Sequence, residues 1–347
     1  MQFSDIEFSD RRTLVRRVLM FFPVFAAINI LIVYLFTDIS DLLRIRQFYP
    51  GFLLLAAAVR LIPWFSKALR LQNWMNFLKR KFTYIEGFRI SIWSELGAAI
   101  TPTAIGGQPI KMGMLYRRGL PAGEAASVTS LAVVEDIFSH SIGMPIAIIT
   151  GIILKLHSLD KFAQILQSKA LVFGLSLLAV VILLLIWQFF RGENAHPGKV
   201  RVKLFRFWIE FKALYASMIR RGKWRFALNV LFSGIQWAGR YSITPILALG
   251  LGYEVNIFVF IVIQMMIFAL MSLVPTPGAT GGAEGLFLLF FSQMLPKSAI
   301  GTMLVGWRIL DFYYLGIFSL IYIGLESGFQ RFKTSHSVQP VSSEDGE

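Results

Sequence analysis

The string "TPTAIGGQP" at residues 101–109 returns as "TPGATGGAE" at residues 276–284, 175 positions further along the chain. Aligned, both read Thr-Pro-x-Ala-x-Gly-Gly: Thr101, Pro102, Ala104, Gly106 and Gly107 against Thr276, Pro277, Ala279, Gly281 and Gly282. Pro removes an amide donor and clashes with the preceding turn, and Gly allows backbone angles that end one helix and begin another. Each copy therefore reads as a break between two helices.

The surroundings of the two breaks are greasy. Hydrophobic residues make up 56% of the 347, and mean hydropathy is +0.63. The most apolar runs are Val18–Phe36, Gly51–Phe65, Ala125–Leu154, Ala170–Phe190, Phe226–Gly250, Ile257–Val274 and Ile300–Leu325. Several approach the roughly 20 residues that a bilayer-spanning helix requires, which excludes a soluble fold and makes the chain a multi-pass membrane protein. Val18–Phe36 is longer than a signal-peptide core and is followed by "TDISD", so it reads as an uncleaved first span. With no cysteine, neither disulfides nor thiolate chemistry arises.

Charge sets the orientation. The net charge is +14, and cytoplasmic loops collect Lys and Arg. With the amino terminus inside, twenty-five of the 34 basic residues fall on the inner side, six outside, and Arg60, Arg240 and Arg308 within spans. That distribution requires residues 90–118 to enter from the cytoplasm and return to it, as a re-entrant helical hairpin with its tip at the first motif. In the second copy, Ile257–Val274 descends from the outside, breaks at Thr276–Gly282 and returns through Ala283–Leu295. The fold expected is all-α and polytopic, with inverted-topology repeats, about six full spans and two opposed re-entrant hairpins. Its parts are a cytoplasmic segment 1–17, a transmembrane domain 18–330 and a polar cytoplasmic tail 331–347; the repeats run 18–154 and 170–325, and a basic segment spans 191–225. That segment reads as an interfacial helix on an anionic inner leaflet or as a solvated positive-inside loop.

Broken backbone in hydrocarbon leaves unpaired polar groups, so it survives only where protein or a watery cavity surrounds it. Each helix restarting after Gly-Gly also turns free amides and a positive dipole end toward mid-membrane, which suits a phosphate or carboxylate. A tight helix crossing where only Gly permits close approach is the competing reading.

These motifs resemble the membrane domain of lysylphosphatidylglycerol synthases and its free-standing relatives, over roughly Arg11–Lys333. That family's second motif, Pro-Gly-Gly-Leu-Gly-x-x-Glu, is matched in spacing by Pro277, Gly278, Ala279, Thr280, Gly281, Gly282, Ala283 and Glu284. Its first, Pro-x-x-x-Gly-Gly-Glu-Pro-x-Arg, is filled by Pro102, Gly106, Gly107, Gln108, Pro109 and Lys111, with Gln108 in place of Glu and Lys111 in place of Arg. The resemblance implies translocation of a lipid or lipid-linked head group. The aminoacyl-transferase domain of the bifunctional synthases has no counterpart in the chain, so lysine transfer is not expected.

A charge at the bilayer centre costs about 2.5–3.5 kcal/mol on insertion scales, so each buried one needs a partner or a purpose. Arg308 either meets an anionic head group or pairs structurally with Asp311 or Glu135. Glu135 and Asp136, being adjacent, face different directions, whereas Asp136 and His140 share a face. They form either a proton relay or, as favoured here, a packed histidine and its neighbour. Glu284 either caps its own helix or contacts substrate. Arg60 and Arg240 line the spans or pair with Glu95. The substrate-binding set expected is thus Thr101, Pro102, Gly106, Gly107, Gln108, Lys111, Thr276, Pro277, Gly281, Gly282, Glu284 and Arg308. Glu135, Asp136, His140 and Asp311 serve as coupling or structural ion pairs.

The leading function is a lipid transporter that moves an anionic phospholipid or a polyprenyl-phosphate-linked lipid between leaflets, its head group held between the two tips. An integral-membrane enzyme acting on head groups is the second class, against which no Ser-His-Asp set, metal-ligand cluster or Gly-Lys-Ser/Thr loop is found. A non-transporting subunit of an envelope-biosynthesis complex is the third. No cofactor or metal is expected. Partners expected are anionic membrane lipids, with a second copy of the chain or an envelope-biosynthesis protein as further candidates. Nucleic acid is not expected, because the basic residues follow topology and form no domain of their own. The location expected is the prokaryotic cytoplasmic membrane, with both termini inside.

Overall fold

The computed structural model describes residues 27, 46–99, 101, 106–155, 157–168, 197–274, 276, 278–319, 321, 322, 324 and 325. The runs Val18–Phe36 (residue 27 apart) and Ala170–Phe190, both terminal segments, and Pro102 and Pro277 lie outside them. The described residues are helical and contain no strand.

Helix α1 (Pro50–Phe77) opens on a proline in its first position, where the missing N–H leaves nothing unpaired. At 28 residues it is about 42 Å long. Helices α2 (Tyr84–Ala99) and α3 (Gly107–Arg117) flank the first motif. Helix α4 (Ala122–Ile153) is the longest, at 32 residues. Among the described residues α1 and α4 are long and apolar enough to cross a bilayer. Ile142, Ile146, Ile149, Ile152 and Ile153 of α4 are all exposed, an apolar stripe that calls for hydrocarbon and not water around it.

Helices α5 (His157–Gln167) and α6 (Pro197–Arg221) are amphipathic. They bracket α4 at opposite ends: Leu159 of α5 sits against Gly151, and α6 crosses Gly123. A Cβ at Gly123 would lie 2.8 Å from the Phe207 carbonyl oxygen, so glycine is what lets α6 seat there. The basic segment 191–225 is thus largely helical from Pro197 onward, with Phe205, Trp208 and Ile209 exposed.

The run Phe226–Gly250, expected as one span, is two helices, α7 (Lys223–Tyr241) and α8 (Ile243–Gly250), interrupted at Ser242. Pro245 is the reason: it supplies no N–H to residue 241 and its ring crowds that carbonyl. Helix α9 (Ile257–Met271) begins where the Asn256 side chain accepts from the Phe258 and Val259 amides. Helices α10 (Gly282–Phe291) and α11 (Lys297–Arg308) follow, and α11 runs into a π-helical turn at Ile309–Tyr313.

The main core lies among α8, α9, α10 and α11. Its aromatic rings mesh: Phe287 stacks on Trp307 at 5.1 Å and Phe260 meets Phe291 at 5.0 Å. A second core joins Leu71, Trp74, Leu115, Val128 and Met218, from α1, α3, α4 and α6.

Candidate functional site

At the first motif, α2 and α3 lie side by side. Ser94 Oγ donates to the Gly107 carbonyl at 2.9 Å, and Thr101 Oγ1 donates to the Gly97 carbonyl while accepting from the Gly106 amide, both at 2.9 Å. A Cβ at Gly107 would stand 2.7 Å from the Ser94 carbonyl oxygen, and one at Gly106 would stand 2.8 Å from the Gly97 carbonyl oxygen. Both glycines therefore answer to close helix approach. Two residues downstream of this packing, Gln108 and Lys111 line a polar cavity of about 70 Å³ with Lys67, Arg70, Ser94, Glu135 and Asp136. Lys111 makes no hydrogen bond or ion pair with any described residue.

Arg70 forms one wall of the cavity. Its Nε donates to Glu135 Oε2 at 2.9 Å and its Nη2 to the Ala132 carbonyl at 2.6 Å; Nη1 donates to Asp136 Oδ1 at 2.7 Å and to Gln236 Oε1 at 3.1 Å. Trp74 Nε1 and Asn229 Nδ2 donate to Glu135 Oε1 at 2.5 and 2.9 Å. Ser233 Oγ donates to Asp136 Oδ1 at 2.6 Å. Adjacent on α4, the two carboxylates were expected to face apart; one guanidinium fork reaches both because it is planar and wide. His140 Nδ1 donates to the Asp136 carbonyl at 2.7 Å, so its Nε2 accepts from the Tyr241 hydroxyl at 2.7 Å. His140 meets the Asp136 backbone and not its carboxylate, the geometry of a packed histidine.

From the cavity a line of charges continues through the bundle. Lys67 grips Glu95, whose Oε2 also accepts from Trp64 Nε1 at 2.7 Å. Arg60 lies 3.8 Å from Glu95 and 3.7 Å from the Asp311 carboxylate, and its Nη2 donates to the Asp311 carbonyl at 3.2 Å. Asp311 accepts a two-pronged contact from Arg240, at 2.8 and 3.0 Å. Asp311 lies in the π turn, where its carbonyl meets Arg60 while its side chain meets Arg240. Arg240 thus pairs with Asp311, and Glu95 is held by Lys67 and Arg60.

Three residues before Asp311, Arg308 pairs with neither Asp311 nor Glu135 but with Glu284. Its Nε donates to Glu284 Oε1 at 2.5 Å, its Nη2 lies equally close without hydrogen-bond geometry, and its Nη1 donates to the Gly278 carbonyl at 3.2 Å. Glu284 also accepts from the Gly281 amide at 2.7 Å, closing the start of α10 as a capping residue does. Thr276 Oγ1 donates to the Thr280 carbonyl at 2.8 Å. Gly278, Ala279 and Gly281 all take positive φ, which shapes the turn. A Cβ at Gly282 would meet the Val274 side chain at 2.6 Å. Of the amides expected to be open at the second tip, that of Gly281 is served by Glu284 and that of Ala283 by the Ala279 carbonyl at 2.8 Å, whereas at the first tip Lys111 has no ion-pair partner among the described residues.

Lys67 and Arg70, both among the basic residues counted on the inner side, belong to α1. The signal for Lys67 was periodic: Arg60, Trp64, Lys67, Leu71 and Trp74 fall at i, i+4, i+7, i+11 and i+14, one helical face, with Arg70 beside it. No group of three or more potential metal ligands occurs among the described residues.

Comparison with known proteins agrees with this picture of a membrane-embedded helical protein. Over 300 residues the chain is 26% identical to a UPF0104 membrane protein of Archaeoglobus fulgidus, covering 80% of this chain and 88% of that protein. The family described as lysylphosphatidylglycerol synthase TM region matches residues 19–319. With that match over most of its length, the chain belongs to the lysylphosphatidylglycerol synthase transmembrane-region family.

Proposed function

We propose that the protein is a lipid transporter, moving an anionic lipid between the leaflets of a prokaryotic cytoplasmic membrane. In this reading the two motif-bearing segments are re-entrant hairpins of two inverted repeats, residues 18–154 and 170–325, with about six full spans besides. Both termini lie in the cytoplasm. The observation that carries the reading is the line of buried and half-buried charges from the first tip to the second: Lys111 in its cavity, Arg70 with Glu135 and Asp136, Lys67 with Glu95, Arg60 with Asp311 and Arg240, and Arg308 with Glu284. Buried ions in a membrane domain are costly and mark pathways. Here they link the helices around one tip to those around the other. The repeat supports it further: Asp136 and Asp311 stand 175 positions apart, as the motifs do, and each is held by an arginine from a helix preceding its own tip.

The head group enters at the first tip, and rocking of one repeat against the other exchanges ion-pair partners along the line. The test is leaflet exchange of a fluorescent anionic phospholipid in proteoliposomes, read by quenching from outside. Exchange well above that of protein-free vesicles is expected, and the Gly107→Leu, Gly282→Leu double variant is expected to lose it. Absence of exchange, or a double variant equal to wild type, sinks the proposal.

A further inference from the structure

Arg60 is the most deeply buried cation of the line, at 1% exposed. Its Nε and Nη1 find no acceptor among the described residues, and its Nη2 donates to a backbone carbonyl, that of Asp311 at 3.2 Å. The two carboxylates beside it are held by other groups. Glu95 of α2 takes Lys67 on Oε1 and Trp64 on Oε2, and Asp311 of the π turn takes both prongs of Arg240. Arg60 stands about equally far from the two, 3.8 Å from Glu95 and 3.7 Å from Asp311, near enough for charge attraction and too far for a hydrogen bond. Buried donors left empty are costly, and their presence in a native structure calls for an explanation.

Lys67 supplies one. Its side chain is 32% exposed and borders the polar cavity of the first motif while it grips Glu95. Drawn toward an anionic head group in that cavity, Lys67 leaves Glu95 Oε1 without its cation, and Arg60 closes on Glu95 with its empty donors. That move takes Nη2 off the Asp311 carbonyl and loosens the π turn, three residues from Arg308, which holds Glu284 and the Gly278 carbonyl at the second motif. We propose that Arg60 is a two-position switch between the motifs, partnered by Asp311 while Lys67 stays on Glu95 and by Glu95 when the cavity draws Lys67 away. Both carboxylates are already in place, so the switch needs a shift of about 1 Å, the difference between 3.8 Å and a hydrogen bond. The head group as trigger rests on the lipid-transport reading; the exchange of partners at Arg60 does not.

The chain has no cysteine, so introduced thiols are labelled singly. Gly51 of α1 and Gly285 of α10 are exposed, with open space where a Cβ would stand. Spin labels at Gly51→Cys and Gly285→Cys, in the full chain in phosphatidylcholine vesicles, report the distance from α1 to α10 by double electron–electron resonance. With Lys67 in place one distance is expected to dominate. Lys67→Met is expected to raise a second distance about fivefold or more, and adding Arg60→Met is expected to return that variant to the first, whereas a fold merely loosened at Lys67 would spread further once Arg60 is lost as well. Should Arg60→Met fail to fold, Glu95→Gln takes its place: a neutral amide gives Arg60 nothing to close on, so Lys67→Met with Glu95→Gln is expected to keep the first distance. Phosphatidylglycerol added to the vesicles is expected to raise the second distance in the chain with Lys67 and Arg60 and to leave Arg60→Met unmoved. An unchanged distribution in Lys67→Met, or a shift that survives Arg60→Met or Glu95→Gln, overturns the inference. A Lys67→Met shift with no response to the anionic lipid overturns only the head group as trigger, and leaflet exchange with an unchanged distribution in Lys67→Met overturns only the switch.

Discussion

Ala279 holds φ +52°, a left-handed conformation in which its Cβ crowds the backbone. The family motif places Gly there, and Gly would hold the turn without that strain. Ala279→Gly is therefore expected to stabilise the protein by about 1 kcal/mol, offset in part by the greater freedom of Gly in the unfolded chain; a thermal melt in detergent reads it. Glu284 and Arg308 make the opposite kind of site, both buried and paired with each other. Removing either partner strands the other, at about 3–5 kcal/mol. The double variant Glu284→Gln, Arg308→Met is expected to recover much of that loss, and a double-mutant cycle on melting data measures the coupling. The sequence allowed Glu284 to be read as a cap from its spacing to Gly281. Its ion pair with Arg308, 24 positions away, was not legible, because several carboxylates at comparable depth competed for that arginine.

Between elements, the closest approach at the first motif is that of α2 and α3. Gly107→Ala would put a methyl 2.7 Å from the Ser94 carbonyl oxygen, backbone that cannot swing aside. A loss of about 1–3 kcal/mol is expected from overpacking, visible as a lower melting temperature. Gly119, exposed on the loop after α3, has open space around its Cβ position, and there it is the φ of +87° and not a clash that requires glycine. Breaks at both motifs could be read from Pro and Gly alone, since their effect on a helix is local. The π turn at Ile309–Tyr313 carries no such marker, and it forms where Asp311 must serve Arg60 and Arg240 together. Pro245 did carry a marker, yet the apolar run around it masked the interruption at Ser242.

Across the whole molecule, the two related aspartates are expected to differ. Asp311 is 3% exposed and is shared by the buried Arg60 and the half-buried Arg240, so Asp311→Asn leaves both guanidiniums short of charge and should cost about 3–5 kcal/mol. Asp136 is 29% exposed at its cavity, and Glu135 still holds Arg70 when its charge is gone. Asp136→Asn should therefore melt distinctly higher than Asp311→Asn; the reverse order would show that the line of charges is not anchored at its centre. Composition and the repeated Thr-Pro-x-Ala-x-Gly-Gly settled on their own that the chain is helical, membrane-embedded and twice broken, because hydropathy and the chemistry of Pro and Gly act within one stretch of chain. Which cation meets which carboxylate was decided only by tertiary structure. Charges attract across any sequence separation, and the packing of α1 against α2 and α4 gives Lys67 to Glu95 and Arg70 to Glu135 and Asp136, while that of α10 against α11 gives Arg308 to Glu284.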